Sequence, residues 1–376
     1  MKTLFIEYGY LDGHGGGVYA SKTHVNLFAA LSEKMTLIYP PKEGGELADI
    51  HKDGVELMPV SDHRRNARKF VDLLAGKVHR YSLPASYFDK EEYDIVVFDS
   101  SVVSSRLVKR FKRAGIQPIT IHHNYQIQYL MGDGSWLTLL PNLFWTWIYE
   151  GQAVRNSALN ITLTQQDVEL LKKHYGRQAP FAVLGVFEYK DSKPAEIPSG
   201  ERQHRYVITG ALGSKQTEDS LVRWIKDFYP VLVHIDPMAQ VTIAGGHPSK
   251  NLTQIINEAG IRLVDTPEDM APILQDADYY LCPVDCGGGL KLRNLDGLKY
   301  GLPVLTHKVS MRGYEKMEQY GVIFSYETIS DFTEGVKRLQ SLKLRRDEIQ
   351  KLYLQQYQFE YGVKRLKEIL TRGGIL

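Results

Sequence analysis

Cysteine is nearly missing from this chain: only Cys282 and Cys286 occur in 376 residues. Two thiols with no evident ligand partner make a poor zinc site, and they exclude a disulfide-stapled scaffold. Both are expected to stay reduced in a reducing compartment. Long apolar runs are missing too, since no stretch of about 18 apolar residues is available to span a bilayer. Met1-Lys2-Thr3-Leu4 leads straight into a strand-like segment, so no signal peptide is expected. Excess charge of one sign is also lacking. Lys and Arg number 46 against 44 Asp and Glu, a formal net of +2, so no global field points to nucleic acid. Nor is there an internal repeat or a low-complexity tract. What remains is an ordinary globular composition, 43% hydrophobic and 24% charged. The chain is too long for one core, so two domains are expected.

Short apolar runs alternate with helical patterns from end to end. The first series lies at 4–7, 35–39, 55–60, 94–98, 118–121 and 160–163. The second lies at 206–209, 240–244, 262–264, 279–284, 303–306 and 322–325. Such βαβ alternation predicts parallel sheets covered by helices on both faces. The stretch 188–203 is rich in Pro, Gly, Ser and charge, and reads as the linker between domains at 1–187 and 204–355. The fold class expected is α/β, two Rossmann-like doubly wound domains facing across a cleft. Ligands in such sheets bind beyond the strand C-termini. The last residues, 356–376, read as helix, with Leu366 and Ile369 on the helical spacing.

Three glycine-bearing turns follow strands. Gly287-Gly288-Gly289-Leu290-Lys291-Leu292-Arg293-Asn294-Leu295-Asp296 runs on to Gly301-Leu302-Pro303-Val304. The loop is expected to open a helix whose start is stripped of side chains. Free N–H groups at a helix start, with Lys291 as a mobile cation, suit a phosphate. Gly13, Gly15, Gly16 and Gly17 follow the first strand, where backbone can approach a diphosphate or sugar closely. Gly13, Gly15 and Gly16 match Gly-x-Gly-x-x-Gly imperfectly, and the second strand ends in Tyr39-Pro40-Pro41 rather than in an acid. A nicotinamide-dependent dehydrogenase is therefore a weak reading. Gly210 and Lys215 follow the strand at 206–209. His122, His123 and Asn124 follow the strand at 118–121. Adjacent residues on a strand end face opposite ways, so only one of the two histidines can line a cleft. Neither has neighbours at metal-ligand spacing, so no metal is expected.

The glycine loop with its lysine, acid and Gly-x-Pro-Val resembles the nucleotide-sugar motif of family 4 glycosyltransferases, retaining enzymes of the GT-B fold. Gly287, Gly289, Lys291, Arg293, Asp296, Gly301, Pro303 and Val304 take the motif positions. Asp296 stands where the family usually has Glu, and Gly288 where many members carry a second Glu. The resemblance implies that Asp296 holds the ribose and that Lys291 faces the diphosphate. It implies further donor contacts from Gly15, Gly16, Gly17, Gly210, Lys215, Gly245, Met270 and Gly287 through Leu290. His123-Asn124 is similar to the family's His-Asn-Val-Glu segment, with Gln126 replacing the Glu. That similarity makes His123 the expected catalytic histidine, with Lys291 and Lys215 stabilising the leaving group. His14, His122 and Asn124 are then acceptor-side candidates, and the terminal helix is expected to return to the N-terminal domain.

The expected activity is transfer of a sugar, with retention, from a nucleoside diphosphate sugar to a hydroxyl of a glycan or lipid-linked glycan. UDP is favoured over GDP, and no cofactor is implied. A GT-B sugar-nucleotide epimerase and a non-catalytic GT-B partner subunit are the alternatives. Arg106, Lys109, Arg110, Lys112 and Arg113 crowd one expected helix, with His63-Arg64-Arg65 and Arg68-Lys69 upstream. Trp136, Leu139, Leu140, Phe144, Trp145 and Trp147 form an aromatic stretch. Together they suit an anionic membrane surface, so a cytoplasmic protein touching the inner face of the membrane is expected. Thr164-Gln165-Gln166-Asp167 has capping-box spacing.

Overall fold

The computed structural model describes residues 1–12, 15–41, 47, 49–51, 53–60, 83, 85–131, 136–190, 194–198, 200 and 202–376. His14, Gly13 and the basic stretch 63–69 lie outside the described residues, as do the side chains of Arg106, Trp136 and Leu139. The chain divides into two units. One comprises Met1–Ser192 with Tyr357–Leu376, the other Lys193–Gln356.

The first unit is built on a seven-stranded sheet of order β3-β2-β1-β4-β5-β6-β7. Its strands are β1 Lys2–Ile6, β2 Lys34–Tyr39, β3 Val55–Pro59, β4 Ile95–Phe98, β5 Gln117–His122, β6 Leu159–Thr162 and β7 Phe181–Val183. All pairs are parallel. The inner strands are buried along their length because helices cover both faces, which is why β4 and β6 read as unbroken apolar or small runs. Phe5, Val97, Ile119 and Ile161 feed the core on one face, and Leu4, Val96, Phe98 and Phe111 feed it on the other. The terminal helix Phe359–Arg372 adds Leu366, Ile369 and Leu370 to the first of these cores. Its Gly362 sits against Leu27 and Phe187, where a Cβ would come within 2.9 Å of either side chain.

The second unit holds a six-stranded parallel sheet of order β10-β9-β8-β11-β12-β13. These strands are β8 Arg205–Gly210, β9 Gln240–Gly245, β10 Arg262–Asp265, β11 Tyr279–Cys282, β12 Val304–His307 and β13 Ile323–Tyr326. Trp224, Tyr206, Ile243, Leu281 and Phe332 are among the buried side chains of its core. Arg346 ties the sheet's helices together from within. Its guanidinium donates to the carbonyls of Leu274, Gln275, Ala277 and Tyr300. Burial pushes this group down to about 10.

In both sheets the strand order reverses once, at β1–β4 and at β8–β11. Crossovers leave in opposite directions there and open a crevice beyond the strand C-termini. Two local expectations change. β7 is a three-residue edge strand with no counterpart among the runs read from the sequence. The Thr164 hydroxyl accepts from the Asp167 N–H, as a capping residue should, but Asp167 Oδ1 accepts from Tyr125 N–H instead of completing a box. The full capping box is at Thr328 and Asp331.

Candidate functional site

At the β8–β11 reversal, three βα loops interlock through glycines. A Cβ on Gly245 would lie 1.8 Å from the Gly210 carbonyl, and one on Gly213 would lie 2.6 Å from the His247 carbonyl. Gly213 N–H also donates to Gly246 O at 3.1 Å. Gly210 and Gly245 are thus fixed by the close approach of β8 and β9. On the other side, Arg293 crosses above Gly210, and its Nη2 donates to Thr217 Oγ1 at 2.6 Å. Ser220 Oγ donates to Asp285 Oδ1 at 2.8 Å, and Arg223 grips the same carboxylate.

Gly287 and Gly289 take positive φ, +84° and +69°, in the loop after β11. The expectation that these glycines open the helix needs correcting. The helix starts later, at Arg293, and runs to Lys299. Left-handed residues cannot belong to a right-handed helix, so they shape a loop that folds back toward its lysine. Lys291 Nζ lies 3.3 Å from the Gly288 carbonyl, and a Cβ on Gly287 would sit 2.9 Å from that ammonium. Among the described residues Lys291 has no carboxylate partner. Burial lowers its pKa below the ordinary lysine value, and the charges of Arg293 and Arg312 lower it further. A half-buried ammonium beside two guanidiniums is a cation cluster that an anion would relieve.

The remaining candidates of this unit lie on other βα loops or on the helices that follow them. Lys215 is exposed at the first turn of the helix Lys215–Asp227, whose N-cap is Ser214. Asp296 is exposed on the helix Arg293–Lys299. Met270 caps the helix Ala271–Asp276. Gly288, Gly289 and Leu290 complete the loop. A recess of about 520 Å³ lies at the other end of the strands, lined by Arg205, Gln240 and Arg262, and contains none of these residues.

In the first unit, Gly15 is the N-cap of the helix Gly16–Leu31 and no side chain caps that helix. Gly15, Gly16 and Gly17 are exposed, and a Cβ on Gly15 or Gly17 would meet nothing within 4 Å. His122 is 1% exposed. Its Nε2 pairs with Asn160 Oδ1 at 3.0 Å, and burial lowers it to about 4. Its neighbour Glu150 is raised by burial to about 8, so both are neutral near pH 7. His122 therefore offers no surface to an acceptor. Asn124 keeps a buried Oδ1 without a partner among the described residues.

His123 lies at the β1–β4 reversal in a cluster the sequence did not announce. Asp99, fully buried after β4, accepts from Ser21 Oγ at 2.5 Å and from His24 Nδ1 at 2.8 Å. His123 Nε2 lies 3.0 Å from the same Asp99 Oδ1, as an ion pair whose ring N–H is turned off the line. Glu7, after β1, accepts from the N–H groups of Tyr8 and Gly9 and lies against Asp99. Burial raises Glu7 well above the carboxylate range, and the Asp99 charge raises it further. Burial would raise Asp99 as well, yet His123 and His24 hold it well below its ordinary value. Burial would lower His123, but Asp99 outweighs it and the imidazole is raised. His24, Asp99 and His123 place ligand atoms within 4.8 Å of one another, a spacing compatible with a metal ion, although hydrogen bonding and ion pairing already occupy them.

Residues 203–341 match the family model Glycosyl transferases group 1. Solved structures share the fold of the whole chain. They include the lipopolysaccharide outer core galactosyltransferase WaaB in its apo form, with a TM-score of 0.65 at 14% identity over 99% of both chains. Anabaena HepE in complex with UDP gives 0.66 at 12%, over 99% of this chain and all of that one. The pneumococcal O-GlcNAc transferase GtfA, in complex with UDP and GlcNAc, gives 0.62 at 11% over 99% of each. No curated protein matches by sequence. The two doubly wound units are those of the GT-B fold, and the matched residues 203–341 include Gly210, Lys215, Gly245, Met270, Lys291 and Asp296.

Proposed function

We propose that this protein is a retaining glycosyltransferase that moves a hexose from a UDP-sugar to a hydroxyl of a glycan or lipid-linked glycan. The observation that carries this reading is the half-buried Lys291, beside Arg293 and Arg312 and above positive-φ glycines, with no carboxylate partner among the described residues. Breaking the anomeric C–O bond leaves negative charge on a diphosphate and an oxocarbenium-like sugar. Preorganised positive charge stabilises that leaving group without reorganising during the step. Lys215 adds a second cation on the neighbouring loop, and His123 is the catalytic imidazole of the first unit. UDP is the favoured nucleotide because HepE and GtfA were solved with UDP.

Asp296 is assigned to the ribose. Replacing it with alanine is expected to weaken UDP binding by roughly tenfold, the loss of hydrogen bonds to a charged group. Calorimetric titration with UDP checks this, and unchanged affinity would remove Asp296 from the site.

The acceptor side is proposed to meet an anionic membrane surface. Leu140, Phe144 and Trp147 recur at helical spacing on the helix Trp136–Asn156 and are 73%, 56% and 54% exposed. The helix Ser101–Arg113 packs beside it and exposes Lys109, Arg110, Lys112 and Arg113. Aromatic side chains beside basic ones suit a lipid interface. No helix among the described residues is long and apolar enough to cross a membrane.

A further inference from the structure

Asp99 has an unusual set of neighbours for a carboxylate with no exposed surface. One oxygen takes the Ser21 hydroxyl, the other faces His24 and His123, and Glu7 lies against it. An isolated buried carboxylate would be costly, and so would two adjacent carboxylates that were both ionised. The two carboxyls are pushed apart: burial and the Asp99 charge raise Glu7, whereas His123 and His24 hold Asp99 low.

His24 and His123 then differ in one respect. His24 is wholly buried, whereas the His123 side chain is 22% exposed. With its Nε2 toward Asp99, His123 has Nδ1 left over, and that atom makes no hydrogen bond among the described residues. The two rings meet edge to face at 5.2 Å, which limits how His123 can turn.

We propose that Asp99 is the positioning residue for His123: set among Ser21, His24 and Glu7, it holds the imidazole so that Nδ1–H is offered to an oxygen of the transferred sugar. This deepens the transferase reading and rests on it. The Asp99 charge favours the protonated ring of His123, and the upward shift of Glu7 disfavours a second negative charge in the cluster. Among the described residues, the titratable groups facing His123 are Asp99 from the β4 end, His24 from the first helix and Glu7 behind Asp99, with His122 adjacent along the chain. An imidazolium at a strand C-terminus donates a stronger hydrogen bond than a neutral ring.

The test follows the imidazole resonances of the isotope-labelled full chain from about pH 5 to about pH 9, assigned with His24→Gln and His123→Gln. His123 should titrate above the ordinary imidazole range. In Asp99→Asn only burial remains, so it should titrate below that range. In Glu7→Gln it should stay raised, because Asp99, the group that raises it, is retained. Transfer by Asp99→Asn should fall roughly tenfold or more at about pH 7.5, with the gap narrowing toward about pH 6 as the ring regains its proton. A rate loss independent of pH, or the same His123 titration with and without Asp99, would overturn the proposal. So would perturbation of both histidines by one equivalent of zinc chloride, which would make the cluster a metal site. If Asp99→Asn does not fold, the wild-type titration decides, and a His123 at or below the ordinary range overturns it. Failure of UDP to bind the second unit would instead count against the transferase reading and leave this titration unchanged.

Discussion

Lys291→Ala is expected to lower glycosyl transfer by roughly a hundredfold or more, mostly in kcat, while the protein becomes no less stable. The two halves of this expectation share one cause. The ammonium is partly desolvated and lies near Arg293 and Arg312, so keeping it charged costs folding free energy. Its folded pKa is depressed, so that cost is present at neutral pH and fades only as the amine loses its proton in alkali. Alanine removes the cost. In the transition state the same ammonium meets charge developing on the leaving diphosphate, and alanine removes that stabilisation too. Kinetics with a saturating sugar donor, alongside a melting curve, checks both parts. Turnover equal to wild type would exclude Lys291 from the mechanism, and a large loss of stability would show it to be a structural residue. This pattern, function held at some expense of stability, is common where a site must be charged before its ligand arrives.

Gly301→Ala is expected to lower the unfolding temperature of the second unit by roughly 10 °C, and Gly321→Ala by about 3 °C. The two glycines make a matched pair. Each ends a helix at φ +69°, with the same two backbone bonds closing the turn. Gly301 N–H donates to Leu298 O and Leu302 N–H to Gly297 O, while Gly321 N–H donates to Glu318 O and Val322 N–H to Met317 O. This is the Schellman arrangement, in which a left-handed residue stops the helix. Alanine at either site carries the left-handed penalty of about 1–2 kcal/mol. Only at Gly301 would the new Cβ also collide with backbone, 2.2 Å from the Arg346 carbonyl. At Gly321 nothing lies within 4 Å. Overpacking of that kind adds about 1–3 kcal/mol. Equal shifts for the two variants would show that conformation alone explains the motif's glycine, and that its contact with Arg346 is unimportant.

Gly301 also shows what the sequence could convey. The glycine loop, the lysine and the Gly-x-Pro-Val turn are close together along the chain, so their order is a local signal. The strand alternation is local too, because burial on both faces forces runs of apolar residues. β7 escaped notice because three residues at a sheet edge leave no periodic trace. The glycine loop reads as the opening of the helix, whereas the positive φ that keeps Gly287 and Gly289 out of it is invisible in composition. The cluster at the β1–β4 reversal was hardest to see. Glu7, Ser21, His24, Asp99 and His123 come from β1, its following helix, β4 and β5, and only the parallel pairing brings them together. A polar residue directly after each apolar strand was the one available sign. His122 and His123 could not be told apart by spacing; burial and the Asn160 contact separate them.

Thermal unfolding of the purified protein with millimolar UDP, GDP, ADP or NAD tests the central claim most directly. A nucleotide present at about a hundred times its dissociation constant stabilises the folded state by about 2.7 kcal/mol. The account predicts an upward shift with UDP that exceeds those with ADP and NAD and is reduced in Lys291→Ala. A shift with NAD alone, or none with any nucleotide, would contradict it.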